Sequence, residues 1–160
     1  MKNLILFFLF LIGFYAFAQE GCQYIVKVNT DGLKETGKIR LFIQNTGKET
    51  FKVSEKLNFC NIRLVDLESF NQDTQSFEKL NISQKDIDCF KYQDKSKSLK
   101  PDKAYTYIID IKSDFEILLN KSFFDVFRNK RYRFKISFAL DSYKLCRNSN
   151  TLITDWIYKN

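Results

Sequence analysis

The chain carries no histidine. That removes the Ser-His-Asp and Cys-His relays and most zinc chemistry, which use imidazole as base or ligand. One nucleophile-like spacing remains. Ser76-Phe77-Glu78-Lys79 has the Ser-x-x-Lys form, but the Ser-Asp-Asn and Lys-Thr-Gly companions of that machinery are missing from the sequence. Asp86-Ile87-Asp88, with Asp94 nearby, offers carboxylate oxygens without the spaced acids and glycine of a calcium loop. A carboxylate pair for glycoside hydrolysis cannot be selected from 19 acids without geometry. The expectation is a protein that is not an enzyme, with no catalytic residue, no metal and no cofactor.

What is left is charge on a strand. Arg131, Arg133 and Lys135 alternate with Tyr132, Phe134, Ile136 and Phe138. They should project from one face of a strand, about 6.5–7 Å apart. Lys52 joins them if the strand around 51–53 is the neighbour. This stripe of Lys52, Arg131, Arg133 and Lys135 is the candidate binding face, for an anionic protein, a polyanionic glycan or a lipid head group. A solvated outer face is its plain alternative. The net charge of +7 raises encounter rates with anionic surfaces but names no partner. Trp156 and Tyr158 share a face with Leu152 in the last strand and are read as caps on the core. Tyr132, at the start of its strand, reads as a tyrosine corner.

The elements that must position these residues are mostly strands. Lys38 to Val53 (KIRLFIQNTGKETFKV) alternates twice, with Ile39, Leu41 and Ile43 before the break and Phe51 and Val53 after it. At the break, Asn45 can bond its own backbone and Gly47 can take a positive φ. A strand is also expected at 23–28, with Tyr24, Val26 and Val28 on one face. A less regular one at 61–67 places Ile62, Leu64 and Asp66 together. Another is expected at 105–111, then the cleanest at 131–138, and a last one at 151–158. Residues 116–127 read as at most a short helix. Residues 91–103 read as an exposed loop closed by Pro101-Asp102. About seven short strands with turn signals between them describe an all-β, immunoglobulin-like antiparallel β-sandwich.

The N-terminus carries an address. Lys2, an apolar run from Leu4 to Tyr15 and Ala16-Phe17-Ala18 have the form of a cleaved signal peptide. Cleavage after Ala18 leaves residues 19–160 as one domain, periplasmic or secreted. The run is too short for a stable membrane span. Gln19-Glu20-Gly21 before Cys22 argues against a lipid anchor there. Cys22, Cys60, Cys89 and Cys146 all fall in the exported part, and an even count in such a chain reads as two disulfides. Of the three connectivities, Cys22–Cys146 with Cys60–Cys89 is favoured. A seven-strand Greek key places the start of the first strand and the loop before the last at the same end. Nucleic acid is a poor partner for an exported protein. Asn81 and Asn120 head glycosylation sequons but are discounted, because the short signal has a bacterial character.

Three stretches carry a resemblance: LFIQNTGKETFKV, LKPDKAYTYIIDI, and KRYRFKISF followed by NTLITDWIY. Together they resemble bacterial exported domains with an immunoglobulin-like sandwich. In that group a strand ends in Asn before a turn, a Leu-x-Pro turn feeds a core strand, and the last strand contains Trp. Here Asp102 stands where glycine usually follows the proline. The likeness is to a fold superfamily, and such sandwiches host many functions. The leading expectation is a monomeric binding module for a macromolecular partner, for example an inhibitor or immunity-type protein. The alternative is a structural module of the cell envelope or surface that assembles through edge-strand pairing.

Overall fold

A computed structural model describes residues 22–81, 88–90, 92, 95–119, 127–140 and 151–159. The signal sequence, Asp86, Asp94 and Cys146 lie outside these. The described chain runs β1 (Tyr24–Asn29), α1 (Leu33–Thr36), β2 (Lys38–Asn45), β3 (Phe51–Ser54), β4 (Ile62–Asn71), β5 (Ser76–Lys79), β6 (Ser96–Leu99), β7 (Ala104–Asp110), α2 (Ile111–Leu119), β8 (Tyr132–Ala139), β9 (Thr151–Ile153) and β10 (Ile157–Lys159). It is an all-β architecture. Ten strands, rather than about seven, form three antiparallel sheets: β1-β2-β7, β10-β8-β4-β5 with β9 also on β8, and β3-β6.

Alternation explains the centre of each large sheet. Ile39, Leu41 and Ile43 of β2 are buried, as are Tyr132, Phe134, Ile136 and Phe138 of β8. These side chains join Phe51, Val53, Leu99, Ile62, Leu64, Tyr107 and Ile109 in one apolar cluster to which all three sheets contribute. At roughly 25 cal/mol per Å² of apolar area removed from water, this shared burial is the main force joining the sheets.

The two strands of 38–53 do not pair with each other: β2 lies between β1 and β7, whereas β3 pairs with β6. The chain crosses between sheets at Asn45, which is wholly buried. Its side-chain Oδ1 accepts from Gly47 N (2.9 Å), and its Nδ2 donates to Glu49 O (2.8 Å) and Leu99 O (2.9 Å). Its backbone N donates to Lys103 O, and its carbonyl accepts from Asp102 N, both at 3.0 Å. The Pro101-Asp102 turn closes with Lys103 N donating to Lys100 O (3.1 Å). Asp102 takes φ 59, the left-handed conformation glycine would adopt more easily. Nearby, Tyr107 Oη donates to Ser54 O (2.6 Å) and Tyr105 Oη to Glu55 O (3.0 Å), joining β7 to the end of β3. Two tyrosines of β7 thus make hydroxyl–backbone bonds of the tyrosine-corner kind.

Three expectations are corrected. Residues 96–99 form β6, not loop; Ser96-Lys97-Ser98 has no apolar alternation, and backbone pairing to β3 alone makes it a strand. Ile111 ends no strand but begins α2. Asp110 Oδ1 accepts from Lys112 N (3.0 Å) and Ser113 N (3.4 Å), while Asp114 Oδ2 accepts from Asp110 N (3.1 Å). That reciprocal cap starts the helix several residues before 116. The last strand is two pieces, β9 and β10. Cys60 is bonded to Cys89, and Cys22 is also in a disulfide.

Replacing Asn45 with alanine removes three hydrogen bonds, one of them from the buried Leu99 carbonyl, which keeps only its pairing across β3–β6. We expect a loss of about 2–4 kcal/mol in denaturant-unfolding stability. Asn45→Asp should cost at least as much, because a carboxylate would face the Glu49 and Leu99 carbonyls with no donor.

Candidate functional site

The expected basic stripe lies on β8, at the middle of the five-stranded sheet, and two irregularities beside it decide its surroundings. In β4, Leu64 stands opposite Ile136 but Asp66 stands opposite Lys135, so β4 advances two residues against one. Such a β-bulge puts two consecutive side chains on the same face. Ile62, Leu64 and Leu67 point inward; Val65 and Asp66 both leave the core. Asp66, expected to share a face with Ile62 and Leu64, is thereby turned outward, and Glu68 follows it.

The second irregularity separates β9 from β10. Ile153 pairs with Ser137 and Ile157 with Phe134, so one strand spends four residues where β8 spends three. Thr154 fills the break: its N donates to Ile136 O (3.0 Å), and its Oγ1 accepts from Ile136 N (3.2 Å). Leu152, Thr154, Ile157 and Lys159 face inward. Trp156 and Tyr158, expected beside Leu152 over the core, lie instead on the outer face with the cations of β8.

The outcome is a neutralised, aromatic-lined ladder rather than a bare stripe. Arg133 Nε and Nη2 both reach Glu68 Oε2 at 2.6 Å, and Nη1 donates to Tyr158 Oη at 3.3 Å. The same guanidinium stacks 4.4 Å from the Phe77 ring and 4.5 Å from Trp156. Lys135 Nζ lies 3.9 Å from Asp66 and 4.6 Å over Trp156. Lys79 reaches the other oxygen of Asp66 at 3.6 Å. Arg131 covers Phe70 at 4.2 Å and forms no ion pair among the described residues. Phe70 and Phe77 meet edge to face at 5.3 Å across β4 and β5. Charge-assisted bonds and cation–π contacts thus hold every long side chain of this face in one place.

Other candidates fall elsewhere. Lys52 stands on β3 opposite Ser98, so it does not join the residues of β8. The strand expected to link them is displaced by β6. Ser76 and Lys79 occupy opposite ends of β5, roughly 10 Å apart at strand spacing. Ser76 Oγ bonds Thr74 Oγ1 (2.8 Å), while the lysine belongs to Asp66, so the two do not converge. Asp88 Oδ1 accepts from Phe90 N (3.0 Å) and shapes its own loop. A groove of about 430 Å³ runs between β1 and the β9–β10 edge, bordered by Tyr24, Val26, Val28, Thr154, Asp155 and Trp156. Asp155 is the one carboxylate among its described lining residues.

No family model, no curated protein and no solved structure matches this chain. What can be said of the site therefore stands on its geometry. Sequence reading found the cations of β8 by their alternation. It missed the acids and rings around them, because both bulges invert the period-2 pattern that assigns a residue to a face.

Trp156 is the chain's single tryptophan, so its fluorescence reports on the ladder alone. Replacing Arg133 and Lys135 together with alanine uncovers the indole, and we expect a red shift of its emission and stronger quenching by added iodide. An unchanged spectrum would contradict the stacking.

Proposed function

We propose that the chain is an exported, disulfide-bonded, immunoglobulin-like β-sandwich that binds a macromolecular partner and performs no chemistry of its own. Two large antiparallel sheets and a small third one contributing to a common core support the sandwich reading. The bonded Cys60–Cys89 pair supports an oxidising compartment. Among the described residues no helix is long and apolar enough to cross a membrane.

The observation that carries the binding reading is the convergence of Trp156, Tyr158, Phe77 and Arg133 on one sheet face. Tryptophan, tyrosine and arginine dominate the energetic centres of protein interfaces. Here they are held rigid before any partner arrives, which lowers the ordering cost of association. Internal pairing with Asp66 and Glu68 leaves the face nearly balanced in charge. That suits a protein surface of mixed character, such as the target of an inhibitor or immunity-type protein.

The test is a photo-crosslinking amino acid placed at Tyr158, which is 43% exposed, with Ile108, 65% exposed, as the control position. In the native host we expect one discrete protein adduct from position 158 that is absent from position 108 and is lost on Trp156→Ala. Adducts that ignore both controls would refute the reading. N-terminal sequencing of the exported protein should begin at Gln19; a retained Met1 would refute cleavage.

A further inference from the structure

A cluster of cations outside any ion pair among the described residues lies off the ladder, at the turn leading into β8. Lys130 N donates to Phe127 O at 3.1 Å, and the tight turn leaves Arg128, Asn129, Lys130 and Arg131 exposed. Beneath it, the buried Lys159 ammonium donates to the carbonyls of Phe127 (3.4 Å), Arg128 and Lys130 (2.8 Å). Three backbone carbonyls on one ammonium fix the turn's shape. Burial first, and the charge of Lys34 second, depress the Lys159 pKa. Among the described residues none of Lys34, Arg128, Lys130, Arg131 or Lys159 takes part in an ion pair. Three exposed cations within four residues make this turn a local anion-attracting field.

We propose that this turn is a binding site for an acidic polysaccharide, with Arg128, Lys130 and Arg131 taking up sulfate or carboxylate groups spaced along an extended glycan. Basic residues at four of the six positions from Arg128 to Arg133 are a short cationic run of the kind that binds heparin-like chains. The rings at its base are already covered: Lys130 lies 5.8 Å over Phe127 and Arg131 lies 4.2 Å over Phe70. Among the described residues of the turn no exposed aromatic is left to enter a bilayer, and no apolar centre is left for a protein contact. Recognition there is ionic and suits a flexible polyanion. The site is separate from the Trp156 face, so either can fail without the other.

The test is fluorescence anisotropy with a labelled heparin oligosaccharide in about 0.15 M salt, where exposed charges act over roughly 8 Å. The variant R128Q/K130Q/R131Q is expected to bind roughly tenfold more weakly, with the slope of log affinity against log salt reduced by about three. The charge-matched variant K27Q/K48Q/K103Q, far from the turn in sequence, is expected to bind as the wild type does. Circular dichroism checks that both are folded. If the triple variant melts early, Lys130→Gln alone carries the test, with a slope change of about one. Equal losses in the two triple variants would overturn the proposal, as would absence of binding at this salt. So would tighter binding to vesicles of equal parts phosphatidylcholine and phosphatidylglycerol, or to single-stranded poly(dT).

Discussion

The side-chain amide of Asn45 is the contact on which the arrangement of sheets depends. It is a polar group with no exposed surface, placed where the chain leaves one sheet for another. Burial of an amide is costly unless every donor and acceptor finds a partner. Here they do. Its two N–H groups hold the 45–49 turn and the end of β6, and its oxygen holds Gly47. The main-chain bonds to Lys103 and Asp102 bring the Pro101 turn to the same point. Two segments far apart in sequence, 45–49 and 99–103, are thereby set at one junction. The two tyrosine hydroxyls of β7 then tie the far end of β3. Apolar burial drives the sheets together without fixing their offset; directional bonds to a single amide fix it.

The outer face of the five-stranded sheet follows from two further departures from regularity. β8 is straight and alternates cleanly, so its cations face out by default. Both neighbours carry one extra residue, at Val65–Asp66 and at Asp155–Trp156. Each extra residue turns the next side chains to the opposite face. Without the first, Asp66 would sit under the sheet among leucines. Without the second, Trp156 would sit in the core and Arg133 would lose the indole that stacks on it. The bulges therefore convert a repulsive row of like charges into a ladder of ion pairs and stacked rings.

This redistributes the electrostatics of the molecule. Arg133 and Lys135, the obvious positive charges, are largely spent on Glu68 and Asp66. The turn before β8, with Arg128, Lys130 and Arg131, keeps its charge, and a buried lysine beneath it holds the turn's carbonyls. The two surfaces therefore differ in kind: one is aromatic and nearly neutral, the other exposed and cationic, with no ion pair among the described residues. A protein partner suits the first and a polyanion the second.

Much of this was present in the order of the residues alone. Ile39-Leu41-Ile43 and Tyr132-Phe134-Ile136-Phe138 set two central strands, because a period-2 apolar pattern can bury only one face. Asn45 marked the turn that ends β2, although Gly47 does not use the positive φ open to it there; the positive-φ glycine among the described residues is Gly37. The Cys60–Cys89 bridge was the pairing favoured from topology. The tertiary structure decided the rest. β6 has no apolar signature and exists because β3 offers it a backbone to pair with. Ile111 belongs to a helix because Asp110 and Asp114 cap it across one turn. Asp66, Trp156 and Tyr158 face outward because an extra residue in each strand shifts the phase. Alternation reports the face of a side chain only while pairing advances one residue for one. Where it slips, the neighbouring strand, and not the local sequence, sets the direction.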